Sequence, residues 1–113
     1  MHQIIVMDII FEDIDLEELI TTGKNKKYKK YQKNSAFLSS LADVYGILCA
    51  APNANSLYNI SHLHYEQLKY DYSGLCSMHI KNGYVERLIV RETDEGLTLV
   101  MIELNTTHYG NKK

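Results

Sequence analysis

The chain has 113 residues, of which 45% are hydrophobic and 23% are charged. This composition is typical of one globular domain, and the length is too short for two. We therefore expect a single domain over residues 1–113. No apolar run approaches the roughly 18–20 residues that a bilayer-spanning helix needs, and the opening segment lacks the basic start and cleavage site of a signal peptide. The sequence therefore predicts a cytoplasmic protein with no membrane partner.

Charge is distributed unevenly along the chain, although the formal net charge is only −2. Residues Asp8–Glu18 carry six acids and no base, whereas residues Lys24–Lys33 carry six lysines and no acid. The net charge argues against a generally basic nucleic-acid-binding protein, but the distribution predicts a local basic patch. Such a run is also typical of a plain solvated helix face. The lysines of this basic segment are Lys24, Lys26, Lys27, Lys29, Lys30 and Lys33.

The first predicted elements are a strand and a helix. Apolar and β-branched residues over Gln3–Phe11 indicate a strand, which we expect to be buried on both faces because nearly every position is apolar. Asp13 or Asp15 is expected to cap the helix that follows. Gly23 is typical of the residue that ends a helix.

The basic segment and a longer helix come next. Tyr28 and Tyr31 are three residues apart, so a short helix or turn would place both rings on one side and most ammonium groups on the other. Asn34 or Ser35 is expected to cap the second helix, and Pro52 ends it because the residue before a proline avoids the α conformation. Apolar residues at three- and four-residue steps predict its buried face. They are Phe37, Leu38, Leu41, Ala42, Val44, Tyr45, Ile47, Leu48 and Cys49.

The second half of the chain predicts a small sheet. After a loop and an irregular region with a short extended piece, strands are expected at Leu75–Lys81, Tyr84–Glu92 and Leu97–Leu104. Asn82-Gly83 is a strong hairpin signal between the first two. The simplest packing is an α+β fold, with the amino-terminal strand and two or three helices on one face of a twisted antiparallel sheet.

The other face of that sheet is expected to be partly open. Ser77 and His79 alternate with the apolar residues of their strand, and Arg87 lies on the neighbouring strand. We expect these three side chains to point into the open face, near the polar tail over 105–113.

Cysteine and histidine spacing does not predict a redox or metal site. Cys49 and Cys76 lie far apart in apolar settings, so we expect reduced core thiols rather than a disulfide or a nucleophile. His62 and His64 would share a face in a strand, but no third ligand is identifiable nearby, whereas a closed metal site needs four. The chain also lacks a glycine-rich phosphate loop and a Ser–His–Asp or Cys–His signature. We therefore expect no cofactor and no metal.

Several segments, in order, resemble one protein family. The segment Leu16–Lys30 resembles the amino-terminal helix and basic segment of HigB-like toxins. His64-Tyr-Glu-Gln-Leu-Lys69, Tyr72-Ser-Gly74 and Ser77-Met-His-Ile80 are similar to that family's central stretch, H-x-x-x-L-K, S-G and S-x-R-I. The closing strand and tail, Ile102-Glu-Leu104 and His108-Tyr-Gly-Asn-Lys112, are similar as well. The resemblance covers nearly the whole chain after Glu12.

The resemblance implies a fold, an activity and partners. The fold is that of the RelE/ParE superfamily, a helical hairpin against a twisted antiparallel sheet. The activity is that of a type II toxin, which enters the ribosomal A site and cuts mRNA without a metal. The partners are the ribosome, mRNA and a small antitoxin that often carries a helix-turn-helix domain. The basic segment, together with His79, would contact RNA or the ribosome.

The resemblance also selects five candidate catalytic residues. His108 would be the best base or acid, because an imidazole titrates near neutral pH. Tyr109 would stack on a base or donate a proton. Lys69 and Arg87 would hold phosphate, and His64 would assist proton transfer or orient the scissile group.

Ordinary structural roles remain open for the same residues. His64 fits a packed or surface histidine and Lys69 a solvated charge. Arg87 fits a cross-strand pair with Glu86 or Glu103, and the tail with His108 and Tyr109 fits a disordered terminus.

His79 is the main departure from the family pattern. The pattern has arginine at this position, a permanent bidentate cation, whereas histidine is smaller and mostly neutral at pH 7. The alternatives to an mRNA endonuclease are therefore a ParE-like inhibitor of DNA gyrase, which needs no acid–base pair, and a degenerate toxin that binds its antitoxin without cutting RNA.

Overall fold

The helices pack against one mixed sheet in this computed structural model, which describes residues 6–106. The sheet has five strands in the order β1-β5-β4-β3-β2, and the predicted α+β fold is confirmed. Short 3-10 turns connect several elements. The main elements are β1 (Asp8–Phe11), α1 (Ile14–Thr22), α2 (Ser35–Ala50), β2 (Glu66–Gln67), β3 (Cys76–His79), β4 (Arg87–Thr93) and β5 (Thr98–Asn105).

The first strand differs from the expectation in direction and burial. β1 pairs with β5 in parallel, whereas the other strand pairs are antiparallel, so the sheet is mixed rather than wholly antiparallel. A continuous apolar run is typical of a central strand, yet β1 lies at the edge of the sheet, and Ile10 is 52% exposed. Residues 3–5 of the predicted strand lie outside the described residues.

Helix α1 begins and ends where its capping residues predict. Asp13 is the N-cap, and its carboxylate accepts a hydrogen bond from the Leu16 N–H at 3.2 Å. Gly23 ends the helix with φ at 77°, and its N–H donates to the Leu19 carbonyl. Only glycine adopts this left-handed conformation without a steric cost. Leu16 and Leu19 are buried on the face that meets the core.

Helix α2 buries a narrower stripe than its sequence predicts. Asn34 caps the helix and Ala51 leaves it in an extended conformation before Pro52, as expected. The buried residues are Phe37, Leu41, Val44 and Leu48.

Ala42 and Cys49 are exposed, because each follows a buried residue by one position and is rotated about 100° away from the core. The expectation of a core thiol is therefore wrong for Cys49, whereas Cys76 is buried.

The basic segment lies against the protein through its two tyrosines. Tyr28 and Tyr31 are each 4% exposed, while the six lysines are exposed. The predicted division of rings and ammonium groups onto opposite sides is confirmed. Asn25, which is 6% exposed, ties the segment to α1 by donating from its side-chain amide to Asp15 at 2.9 Å and to Glu18 at 2.7 Å.

The Asp13 carboxylate joins α1, the basic segment and β5. It accepts hydrogen bonds from the Tyr28 hydroxyl at 2.5 Å and from Lys27 Nζ at 3.1 Å. The same hydroxyl accepts from the Leu104 N–H at 3.4 Å. Burial alone would raise the pKa of Asp13, but the hydrogen bonds from Tyr28, Lys27 and Leu16 outweigh it and leave that pKa below its usual value. Burial, together with the carboxylate, raises the pKa of Tyr28 to about 12.

We expect Asp13→Ala to lower the free energy of unfolding by about 1–3 kcal/mol near neutral pH, because a helix cap and a buried hydrogen-bond acceptor are lost together. Since the pKa of Asp13 is lowered in the folded protein, its stabilising effect is present above the unfolded-state pKa and is lost as the pH falls through the folded-state pKa. Urea unfolding at pH 7 and at a pH below the folded-state pKa of Asp13 measures both effects.

Glu17→Ala is the matched control, since Glu17 is an exposed carboxylate in the first turn of the same helix. We expect it to change the free energy of unfolding by less than about 0.5 kcal/mol. An Asp13→Ala effect that does not shrink at low pH would contradict the role assigned to the carboxylate.

Candidate active site

Three strands place a histidine, an arginine and an asparagine in one row across the sheet. His79 on β3 pairs with Arg87 on β4, and Arg87 pairs with Asn105 on β5. Directly paired residues on antiparallel strands lie about 4.5–5.5 Å apart and share a face of the sheet. His79 and Arg87 are half-buried and Asn105 is 7% exposed. The row therefore holds a titratable ring, a permanent cation and an amide side by side.

His64 extends this row by contact with His79. The two imidazole rings have centroids 4.3 Å apart and planes inclined by 32°. His64 follows a short turn, where its N–H donates to the Ser61 carbonyl at 3.2 Å, and precedes β2. Its φ of 49° lies in the left-handed region, which is strained for a residue with a side chain. The local turn thus presents an exposed imidazole to His79 at a cost in backbone energy.

Arg87 is held by its own main chain rather than by a carboxylate. Its Nη1 donates to the carbonyls of Tyr84 at 2.6 Å and Glu86 at 3.0 Å. The ion pairs between residues 6 and 106 are Lys27–Asp13 and Arg91–Glu12, so the cross-strand pairing considered for Arg87 is not formed there. The guanidinium keeps its charge without a carboxylate partner among those residues and can bind an anion such as phosphate.

The structure does not bring Lys69 to this row. Lys69 is exposed and follows β2, in which Gln67 pairs with Cys76. It therefore lies beside the carboxyl-terminal end of β2, and the length of β3, on the order of 10–15 Å, separates it from His79. His108 and Tyr109 lie outside the described residues. β5 ends at Asn105, within the row.

The basic segment borders the same end of the sheet. A groove of about 350 Å³ separates the two, and Lys27 and Lys30 line one wall. Glu103, Asn105 and Thr106 line the other. The Lys30 ammonium lies 5.2 Å from the centre of the Tyr31 ring, an arrangement that keeps the charge beside the groove.

Lys24 and Lys26 have different surroundings. They line a separate surface cavity together with the carboxylates of Asp15 and Glu18. The six lysines therefore do not form one uniform basic face.

Ser77 was expected on the open face, and this expectation is wrong. It is 1% exposed and pairs with Ile89, which is also 1% exposed. The open part of this face is thus limited to the end that carries His79 and Arg87.

Asn105 was not identified from the sequence. A β-bulge between Ile89 and Val90 shifts the register of β4 against β5 by one residue. Arg87 therefore pairs with Asn105 rather than with Leu104, where a regular hairpin would place it.

The two imidazoles in contact and the adjacent guanidinium have a defined chemical capacity. An imidazole can accept or donate a proton near neutral pH. A guanidinium can stabilise negative charge on a phosphoryl oxygen. Between residues 6 and 106, no three His, Cys, Asp or Glu side chains are grouped so that they could hold a metal ion. The helices in that part of the chain are also too short or too polar to cross a membrane.

Two solved structures have similar folds. The YoeB/ParE toxin from Agrobacterium tumefaciens has a TM-score of 0.52 and 14% identity, over 88% of this chain and 98% of that chain. The DinJ–YafQ toxin–antitoxin complex from E. coli has a TM-score of 0.55 and 17% identity, over 96% of this chain and 100% of that chain. No protein-family model and no curated protein matches the sequence.

These likenesses define the class of fold. The chain has the fold of the YoeB/ParE and YafQ toxins, and the RelE/ParE-like fold implied by the resemblance is confirmed. The assignment to HigB-like toxins within that class stays a prediction.

We expect His64→Gly to be more stable than His64→Ala by about 1 kcal/mol, because glycine adopts the left-handed conformation without the steric cost that alanine carries. Both variants lack the imidazole. Thermal or urea unfolding of the two proteins measures the difference. Equal stabilities, or a more stable alanine variant, would show that the turn before β2 does not hold residue 64 in this conformation in solution.

Proposed function

We propose that this protein is the toxin of a type II toxin–antitoxin pair and acts as a ribosome-dependent mRNA endonuclease, or mRNA interferase, that inhibits translation in the cytoplasm. The observation that carries this proposal is the row of His79, Arg87 and Asn105, with the ring of His64 in contact with that of His79. It supplies proton-transfer groups and an anion-binding group at one end of the sheet. The fold, shared with two toxins of known structure, supports the same conclusion.

The chemistry that this row supports is metal-free transfer at phosphorus. A base removes the proton from a ribose 2′-OH, and the oxygen attacks the adjacent phosphate as the bond to the 5′-oxygen breaks. An acid then protonates that leaving oxygen. We propose that His64 and His108 carry out the proton transfers and that Arg87 stabilises the phosphoryl charge. Tyr109 would stack on a base or donate a proton, and Lys69 would contact the RNA backbone away from the scissile bond.

Arg87 offers a source for the guanidinium that the family pattern places at residue 79. The two residues are direct cross-strand partners, so a side chain from β4 can reach the space that a longer side chain on β3 would occupy. In this proposal His79 orients His64 through the ring contact and binds RNA, while Arg87 holds the phosphate.

The basic segment would dock the protein on RNA. Exposed lysines on one segment attract the phosphate backbone and release counterions, so the affinity falls with salt. The surroundings predict that the lysines contribute unequally. Lys24 and Lys26 lie beside Asp15 and Glu18, whose charges oppose an approaching phosphate.

A cognate antitoxin is the proposed protein partner. One similar structure is a toxin–antitoxin complex, and the shared fold supports a partner of that kind here. We propose a small antitoxin with a helix-turn-helix domain, as the family resemblance implies.

The two alternatives, a degenerate toxin and a ParE-like gyrase inhibitor, differ from this proposal in the roles of His79 and His108. A degenerate toxin is favoured by the loss of the family's arginine at residue 79, and cleavage that appears only in His79→Arg would support it. A ParE-like gyrase inhibitor would not need His108, so its toxicity would survive His108→Ala.

Primer extension on cellular mRNA after induction tests the nuclease. We expect new in-frame cleavage ends with the wild-type protein, because the reaction takes place on translating ribosomes. We expect these ends to weaken at least about a hundredfold with His108→Ala, since a positioned acid or base contributes about 10²–10⁴-fold.

Two controls complete this experiment. Immunoblots establish that both proteins accumulate equally, and Cys49→Ser, at an exposed residue of α2, should cleave like the wild type. The absence of cleavage at normal protein levels would reject the nuclease and leave gyrase inhibition or a degenerate toxin.

We expect the double variant Lys29→Gln, Lys30→Gln to weaken ribosome binding and to reduce the slope of log affinity against log salt by about 1–2. Co-sedimentation with ribosomes at several salt concentrations measures both. Lys24→Gln, Lys26→Gln is the matched control, with the same charge removed from the same segment. Equal slopes in the two double variants would contradict the proposal that Lys29 and Lys30 contribute more to ribosome binding than Lys24 and Lys26.

A further inference from the structure

A cluster of three aromatic rings connects the basic segment to Tyr84 in the loop before β4. Tyr31 lies on Phe37 with ring centroids 4.4 Å apart and planes inclined by 20°. Phe37 in turn contacts Tyr84, with centroids 5.3 Å apart. Tyr31 is 4% exposed and Phe37 is 1% exposed. The position of Tyr84 is therefore fixed from the side of α2 and the basic segment, because close-packed rings leave little room to shift.

The Tyr31 hydroxyl makes a second connection to the same place. It donates to the Glu86 carboxylate at 2.8 Å, across 55 residues of sequence. Burial and the neighbouring carboxylate raise the pKa of Tyr31 well above its usual value, so the phenol keeps its proton and remains a donor at any physiological pH.

Both connections end on the residues that hold Arg87. The carbonyls that accept from Arg87 Nη1 belong to Tyr84 and Glu86. Tyr31 thus fixes the first of these residues through Phe37 and the second through its hydroxyl. No other side chain among residues 6–106 donates a hydrogen bond to the Glu86 carboxylate.

We propose that Tyr31 is a positioning residue for the Arg87 guanidinium. It orients the main chain over 84–86 so that Nη1 is bound to two carbonyls, which leaves Nε and Nη2 for an anion. The inference rests on the proposed role of Arg87 in binding the phosphate. The basic segment would then have two roles. Tyr31 would hold the segment with its lysines against the core, and it would also order the Arg87 guanidinium.

The two arginines of the chain allow a direct test, because Arg91 serves as an internal reference for Arg87. We expect ¹⁵N relaxation to show an ordered Arg87 Nε–H in the wild-type protein. In Tyr31→Phe, which keeps the ring but removes the hydroxyl, we expect the order parameter of Arg87 to fall from that of a rigid group to below about 0.6. The order parameter of Arg91 should not change.

Tyr65→Phe is the matched control. Its hydroxyl donates to Glu92 at 2.6 Å, a phenol–carboxylate bond of the same kind that reaches β4 at the end away from Arg87. We expect Tyr31→Phe and Tyr65→Phe to lower the melting temperature by similar amounts, and only Tyr31→Phe to change Arg87. An unchanged Arg87 in Tyr31→Phe, or an equal change in both variants, would overturn the inference whether or not the protein cleaves RNA.

A double-mutant cycle connects the inference to activity. We expect Tyr31→Phe to slow single-turnover cleavage of ribosome-bound mRNA about five- to twentyfold, and to have no further effect in an Arg87→Ala background. Equal slowing in both backgrounds would indicate a general structural defect and reject the positioning role. If Arg87→Ala itself left the cleavage rate unchanged, the proposed role of Arg87 would fail separately from the relaxation result.

Discussion

The structure depends on one buried carboxylate, that of Asp13. It caps α1, accepts a hydrogen bond from Tyr28, and through that hydroxyl reaches the main chain of β5 at Leu104. A carboxylate that is 9% exposed is stable only when its oxygens are satisfied, so the three elements must assemble together. The bond from Tyr28 to Leu104 places the basic segment beside β5, and so forms the groove next to the row that ends at Asn105.

The unequal charge distribution follows from the same assembly. The acidic helix and the lysine-rich segment are adjacent in sequence and also in space, where Asn25 bridges to Asp15 and Glu18 while Lys27 pairs with Asp13. Part of the basic run is therefore used for structure. The remaining lysines face solvent on a segment that two buried tyrosines anchor to the core.

The sequence predicted most of the fold, because capping residues and hydrophobic periods are local signals. Asp13, Gly23 and Asn34 bound their helices as expected. The parallel direction of β1 could not be derived, since it depends on where the chain returns after two helices. Likewise, periodicity marked Cys49 as buried, but the orientation of α2 about its axis is set by packing. The contact of His64 with His79 could not be predicted either, because it depends on the three-dimensional path of the chain before β2. The sequence had identified each histidine only separately.

In the proposed site, Arg87 would supply the positive charge that the family pattern places at residue 79. Neighbouring strands place His79 and Arg87 as direct partners, so side chains at the two positions can reach nearly the same point in space. A long side chain from a neighbouring strand costs more conformational entropy to hold than a short one. Two carbonyl hydrogen bonds, the ring contact of Tyr84 with Phe37 and the hydrogen bond from Tyr31 to Glu86 offset that cost. In our proposal, the guanidinium of Arg87 is therefore ordered from outside its own strand, by the buried Tyr31 of the basic segment.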